Sequence, residues 1–223
     1  MKTKLSIIAL FISLMIFGQD SIKIKSSFIT VNPQNKHIRN TNGFNVGILD
    51  DYQKQKINGL NFQINPLSLL YPLIPQAISV PTEAKSTVTV NGLHLSTGGM
   101  MDGEKLNGVG ISMYHHSRIT NGLSVNFFNN TSGNLNGVHI SGFANSSEKG
   151  NGLNMAFVEN YSDNFKGMQV SMFNESKRLR GIQIGIINKA KNLRGFQFGL
   201  WNVNENRKFP IINWNFKSKK IKS

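Results

Sequence analysis

The chain has 223 residues, 25 lysines and arginines against 11 acidic residues, a formal net charge of +14, and no cysteine. That length suits one domain, and the missing cysteine excludes both disulfide staples and a lipid-bearing cysteine behind an export signal. The charge favours anionic partners without choosing among envelope glycan, lipid and other polyanions.

In chain order, the first element is an export signal over residues 1–19. Lys2 and Lys4 precede an uncharged apolar run over residues 5–17, followed by Gly18, Gln19 and Asp20, with cleavage expected near Gly18 or Gln19. The run is shorter than the roughly 20 apolar residues that span a bilayer core. No later stretch is long and apolar enough, so no transmembrane helix is expected in the mature chain. Loss of Lys2 and Lys4 leaves a charge of +12, because no acidic residue precedes Asp20. The expected location is the cell surface, outer membrane or periplasm of a Gram-negative bacterium. Residues 20–42 form a polar lead-in with one strand-like piece, "SIKIKSSFITV".

A repeat domain follows over residues 43–216. Glycines recur at Gly92, Gly108, Gly122, Gly137, Gly152, Gly167, Gly181 and Gly195, in steps of 14 to 16, with weaker copies at Gly43 and Gly59. Between Gly59 and Gly92 the step doubles. The added stretch, residues 66–87, contains Pro66, Pro72, Pro75 and Pro81, which suit no central strand. It is read as an excursion from the regular stack, with a flap packed over that stack favoured over an exposed membrane or partner contact.

Each copy places apolar residues one, three and five positions after its glycine, such as Ile182, Ile184 and Ile186, or Phe196, Phe198 and Leu200. This period of two marks strands with one buried face. The aliphatic residues are expected inward. Gln183, Gly185, Gln169, Ser171, Ser124 and Asn126 are expected outward, together with His94 and His139 as ordinary surface histidines. Asparagine seven residues after the glycine (Asn129, Asn174, Asn188, Asn202) and the glycines themselves, Gly122, Gly137, Gly152, Gly167, Gly181 and Gly195 among them, mark the corners. An apolar residue two before each glycine (Leu106, Leu135, Phe165, Leu179, Leu193) points inward on a shorter strand.

Two all-β architectures use such a pattern. In a β-solenoid each 14- to 16-residue copy is one turn, stacked at about 4.7 to 4.8 Å, and inward asparagines form hydrogen-bonded ladders. In a small antiparallel outer-membrane barrel each copy is a strand whose aliphatic side faces lipid. Three apolar positions cover only about 14 to 20 Å, short of the barrel's band of about 25 Å, so the solenoid is the better fit. The closing "PIINWNF" suits either a last barrel strand or the cap of a solenoid edge. Residues 217–223 are a basic tail.

The units "RGIQIGIIN", "RGFQFGLWN", "NGLSVNFFN" and "KGMQVSMFN", with the closing "RKFPIINWNF", resemble the bacterial surface-repeat proteins first grouped from leptospires and found widely in Bacteroidetes. The resemblance covers roughly residues 91–216. The copy at Gly108 departs from it, with Tyr114 and His115 near where asparagine is expected. The resemblance implies an exported, surface-associated protein and transfers no catalytic residue.

Chemistry-bearing constellations are scarce. His115 and His116 are adjacent, so in a strand they point to opposite faces and cannot share a metal. The acids Asp102, Glu104, Glu148, Asp163 and Glu175 fall in predicted turns and form no close carboxylate pair for glycoside hydrolysis. "TGGMMDGE" is a single imperfect echo of calcium-binding β-roll repeats, and no nucleophile elbow, phosphate loop or zinc motif occurs. No catalytic, cofactor or metal site is expected. The expected role is structural or binding, toward an anionic envelope glycan or lipid or a partner protein, with a barrel pore or assembly factor as the alternative. Lys166, Arg180, Arg194, Lys217, Lys219 and Lys220 are the candidate anion contacts. Aromatic residues are not interleaved with the lysines of the tail, which argues against nucleic acid.

Overall fold

The structure is a computed structural model that describes residues 25–32, 38–48, 54–66, 88–99 and 104–216. The signal segment 1–19, the excursion beyond Pro66, Asp102, and the basic tail with Lys217, Lys219 and Lys220 lie outside the described residues. Among the described residues there are thirteen strands and no α-helix. They are β1 (Lys25–Asn32), β2 (Ile38–Ile48), β3 (Gln55–Ile64), β4 (Val88–Ser96), β5 (Glu104–Ser112), β6 (His115–Asn126), β7 (Asn129–Ser141), β8 (Ala144–Ala156), β9 (Glu159–Val170), β10 (Phe173–Ile184), β11 (Ile187–Ala190), β12 (Leu193–Val203) and β13 (Lys208–Asn215).

From β1 to β12 every pairing is parallel, and each strand lies on the copy one turn earlier: Gly167 on Gly181 and Gly181 on Gly195, with Leu179 on Leu193 beside them. Parallel neighbours separated by a single repeat of sequence require the chain to coil once per copy, which makes the molecule a β-solenoid. The barrel alternative is thereby overturned. It needs antiparallel neighbours and a sheet closed on itself, whereas this sheet runs open from β1 to β13. β13 is the exception in direction. It pairs antiparallel with β12, Phe196 opposite Trp214 and Phe198 opposite Ile212, and covers the edge the last turn would leave open.

The glycine row runs through Gly43 and Gly59 to Gly195, with φ between 116° and 155°. At Gly181, with φ of 145°, a β-carbon would land on the carbonyl oxygen of Gly167 in the turn before. Only a residue without one allows this backbone to bend and stack at the same point. The excursion leaves the coil without disturbing it, since β3 and β4 pair directly, Gln55 with Val88 and Gly59 with Gly92.

The expected facing of the long rows is reversed. Strand alternation continues through the glycine instead of switching there, so Leu179, Gly181, Gln183 and Gly185 share one side while Arg180, Ile182 and Ile184 share the other. Gln169, Gln183 and Gln197 are fully buried, as are Ser124, Asn154, His94 and His139, while Ile184, Ile186 and Phe198 are exposed. The inward residue two before the glycine is where expected: Ile57, Val90, Leu106, Leu135, Phe165, Leu179 and Leu193 are buried. At roughly 1.5 to 3 kcal/mol for each such side chain, one per turn supplies the apolar share of the interior. Three positions in this row depart, the first being Thr41, buried beside Ile57. Thr120 replaces the aliphatic residue, and Gly150 leaves room that the ring of Phe165 occupies.

The polar interior is stable because stacking supplies its partners. Gln183 Nε2 donates to Gln169 Oε1 at 3.0 Å and Gln197 Nε2 to Gln183 Oε1 at 2.9 Å. The same row continues toward the N-terminus, where Asn45 Nδ2 donates to Asn61 Oδ1 at 2.7 Å. A second ladder runs along the corner: Asn145 to Asn160, Asn160 to Asn174, Asn174 to Asn188 and Asn188 to Asn202, at 2.8 to 3.0 Å. Each of these donors also reaches a carbonyl on the following turn, as Asn188 does with Phe198 O at 2.8 Å. Where identical amides stand one above another they satisfy each other, so burial carries little unmet desolvation cost there. In the middle turns, where histidine or a shorter amide interrupts the rows, His94 Nε2, His139 Nε2, Asn154 Nδ2 and Asn130 Oδ1 are buried without a partner among the described residues.

Candidate functional site

With the amides inside, the aliphatic rows form the outer surface of one limb of the coil. Its first row, one residue after each glycine, is Phe44, Leu60, Leu93, Val109, Leu123, Val138, Leu153, Met168, Ile182 and Phe196. The row two residues on is equally apolar, from Val46 and Phe62 through Ile140 and Met155 to Ile184 and Phe198. The third includes Phe127, Phe157, Met172, Ile186 and Leu200, of which Phe127, Phe157 and Leu200 are the most exposed, at 70%, 71% and 72%. No charged side chain interrupts these rows. Two depressions mark the face, one lined by Phe44, Leu60, Phe62 and Leu95, the other by Ile111, Val125, Phe127, Ile140 and Phe143.

One long edge of this face is a row of residues immediately before the glycines. Over the earlier turns it is asparagine, hydrogen-bonded on the outside of the coil: Asn58 to Asn42, Asn91 to Asn58, Asn107 to Asn91, Asn121 to Asn107 and Asn136 to Asn121, at 2.7 to 2.9 Å. Over the last three turns the row becomes cationic. Lys166, Arg180 and Arg194 are in register, Lys166 and Arg180 exposed and Arg194 half-buried. These three of the expected anion contacts are therefore brought together. The outer asparagine ladder is absent from the sequence expectations, although the recurring Asn-Gly pair is its signal.

The opposite limb is polar, and three ion pairs join its turns, Lys177 with Asp163 at 2.8 Å, Lys189 with Glu175 at 3.2 Å and Arg118 with Glu148 at 3.3 Å, beside the exposed Lys149, Arg178 and Lys191. Lys177 holds the Asp163 carboxyl below its ordinary value. The acids Glu148, Asp163 and Glu175 lie in β8, β9 and β10, not in the turns expected for them; Asp163 and Glu175 hold adjacent turns together, and Glu148 reaches two turns back to Arg118. Glu104 likewise opens β5 and is buried.

Three histidines depart most from the sequence reading. His94 and His139, expected on the surface, are fully buried in the long amide row, where His94 Nδ1 lies 2.9 Å from Asn61 Nδ2 and His139 Nδ1 lies 2.8 Å from Ser124 Oγ. His115 stands in the corner ladder at the level of Asn130, as the departure from the repeat at that position implied, and its Nε2 lies 2.9 Å from Thr120 Oγ1. Thr120 is a break in the aliphatic row, so the two departures compensate each other. Opposite facing of His115 and His116 is observed, His115 buried and His116 half-exposed. Burial pushes the imidazoles of His94 and His139 down to about 4. His115 is held well below its ordinary value, by burial first and then by the other histidines. All three are neutral at physiological pH. Among the described residues no group of three or more His, Cys, Asp or Glu side chains is placed to hold a metal ion.

Asn174, Asn188 and Asn202 occupy the corner as expected, but the partner of Asn145 in this row is Asn130, not Asn129. The turns starting at Gly122, Gly137 and Gly152 are each one residue longer than those starting at Gly167 and Gly181. The extra residue moves the ladder position from seventh to eighth after the glycine, which hides Asn130, Asn145 and Asn160 from a search at fixed spacing. Compared against protein families, curated proteins and solved structures, the chain finds no match.

Proposed function

We propose that this is an exported, envelope-associated repeat protein, akin to the surface-repeat proteins its units resemble, that works by contact instead of catalysis. The observation that carries the reading is the uncharged apolar face running the length of the coil beside a cationic rim. An exposed apolar surface of that extent is stable in a secreted protein when something covers it. The charged and small polar groups of the other limb suit a water-facing back. The repeat is a scaffold that presents one broad surface, and a signal over residues 1–19 would deliver it to the envelope.

Fractionation of cells producing the full chain tests this. The expected result is recovery in the envelope fraction, with an amino terminus near Gln19 or Asp20. Recovery of uncleaved chain in the cytosol would overturn it.

A further inference from the structure

Resting on the contact reading above, we infer that the occupant of the apolar face is an anionic lipid surface. The coil lies flat at the interface, with its aliphatic rows among acyl chains and Lys166, Arg180 and Arg194 on the headgroups. The extent of the face calls for a broad occupant. Ten stacked glycines from Gly43 to Gly195, nine steps of about 4.8 Å, and three outward rows of about 6.6 Å width each give a surface on the order of 45 by 20 Å. That exceeds the roughly 300 to 600 Å² of the largest apolar patch on an ordinary monomer.

Its chemistry narrows the choice. Apart from Thr97 and Gly142 in its third row, the face is Leu, Ile, Val, Phe and Met with no charge among its rows, while the rim beside its last three turns is Lys166, Arg180 and Arg194 in register. An apolar face bordered by cations is the arrangement by which a structure lies in the headgroup and acyl boundary of an anionic membrane without crossing it. No helix among the described residues is long and apolar enough to cross, and the parallel coil has neither the closure nor the antiparallel ladder of a lipid-spanning barrel.

Charge sets lipid against a second copy. Two coils packed face to face would bring together chains of formal charge +14 with nothing acidic on the buried faces to offset them. An anionic bilayer turns the same charge into attraction. Each rim cation near such a surface is worth about a five-fold gain in partition.

The experiment is flotation of the full chain with vesicles of phosphatidylcholine alone and of phosphatidylcholine mixed with phosphatidylglycerol, alongside light scattering of the lipid-free protein. Expected are co-flotation with the mixed vesicles and weaker binding to phosphatidylcholine alone. Lys166→Gln, Arg180→Gln and Arg194→Gln together should lower binding to mixed vesicles about a hundred-fold. Ile184→Gln with Phe198→Gln should lower it on both lipids by at least about ten-fold. These side chains point outward, so circular dichroism of the variants should match the parent.

Absence of flotation by folded protein would overturn the inference, as would unchanged binding of the Ile184→Gln and Phe198→Gln variant. A lipid-free dimer dissociated by those same substitutions would overturn it in favour of a second copy. If flotation fails while the protein still fractionates with the envelope, the contact reading stands with another occupant. If the chain leaves the envelope as well, both fall.

Discussion

Gly181 illustrates how much single residues constrain this fold. Its positive φ and its contact with the backbone of Gly167 leave no room for a β-carbon, and the same holds one turn on at Gly195. Gly181→Ala is therefore expected to cost at least about 3 kcal/mol, from a strained backbone and a displaced neighbouring turn together. Urea denaturation monitored by circular dichroism would read this as a lowered midpoint; a midpoint within error of the parent would remove the case for tight glycine stacking. The buried histidines make a second residue-scale prediction. In the unfolded chain they take up protons below about pH 6.5, whereas His94 and His139 in the coil resist until about 4. Their contribution is therefore intact above about pH 6.5 and declines as pH falls toward 4, by up to about 3 kcal/mol for each. Comparing urea midpoints at about pH 7 and about pH 4.5 measures the loss. His94→Asn with His139→Asn, which keeps an amide-compatible row beside Asn61 and Asn154, should reduce it to the share that His115 carries.

At the scale of the strand, the facing of each row decides what a substitution does. Gln183→Leu fills similar volume, but it removes the acceptor of Gln197 Nε2 and the donor to Gln169 Oε1 and Lys189 O. The expected cost is about 2 to 3 kcal/mol. Ile184→Gln, one residue along and on the outside, should change stability by less than about 1 kcal/mol. Equal or inverted effects in thermal unfolding would mean that the rows face the other way. This pair also shows where sequence reading succeeds and where it stops. The segment "PIINWNF" suits a barrel strand and a cap equally until the parallel register of the coil decides between them. The glycine phase, the inward Leu179 and Leu193 and the corner asparagines Asn174, Asn188 and Asn202 follow from spacing. The facing of Ile182 and Gln183 does not, because the glycine reads as a point where alternation restarts. Period two carried unbroken from Leu179 through Gly181 places Gln183 inside. The preference for burying aliphatic residues argues against that phase, and a side chain's own polarity does not reveal that its counterpart on the adjacent turn will satisfy it. The cationic rim is legible residue by residue, at Lys166, Arg180 and Arg194. The face beside it is not, since its aliphatic residues read as core.

On the scale of the whole molecule, the coil ends differently from the way it repeats. At the C-terminal end β13 runs against β12 and occupies the hydrogen-bonding groups on which a further parallel turn would stack. Removing residues 208–223 would uncover that edge, and the truncated chain is expected to associate with increasing concentration. Light scattering across a dilution series would detect this, and a truncated chain that remains monomeric would show that β13 is dispensable as a cap.

The register between β3 and β4 persists although the chain from Gly59 to Gly92 is twice as long as in an ordinary turn. Length in this molecule is therefore counted in turns and not in residues. A gene that gains or loses one whole unit alters the coil by about 4.8 Å and the apolar face in proportion, leaving the cross-section as it was. The extent of that face is in this way open to setting by copy number, turn by turn, without redesigning any single contact.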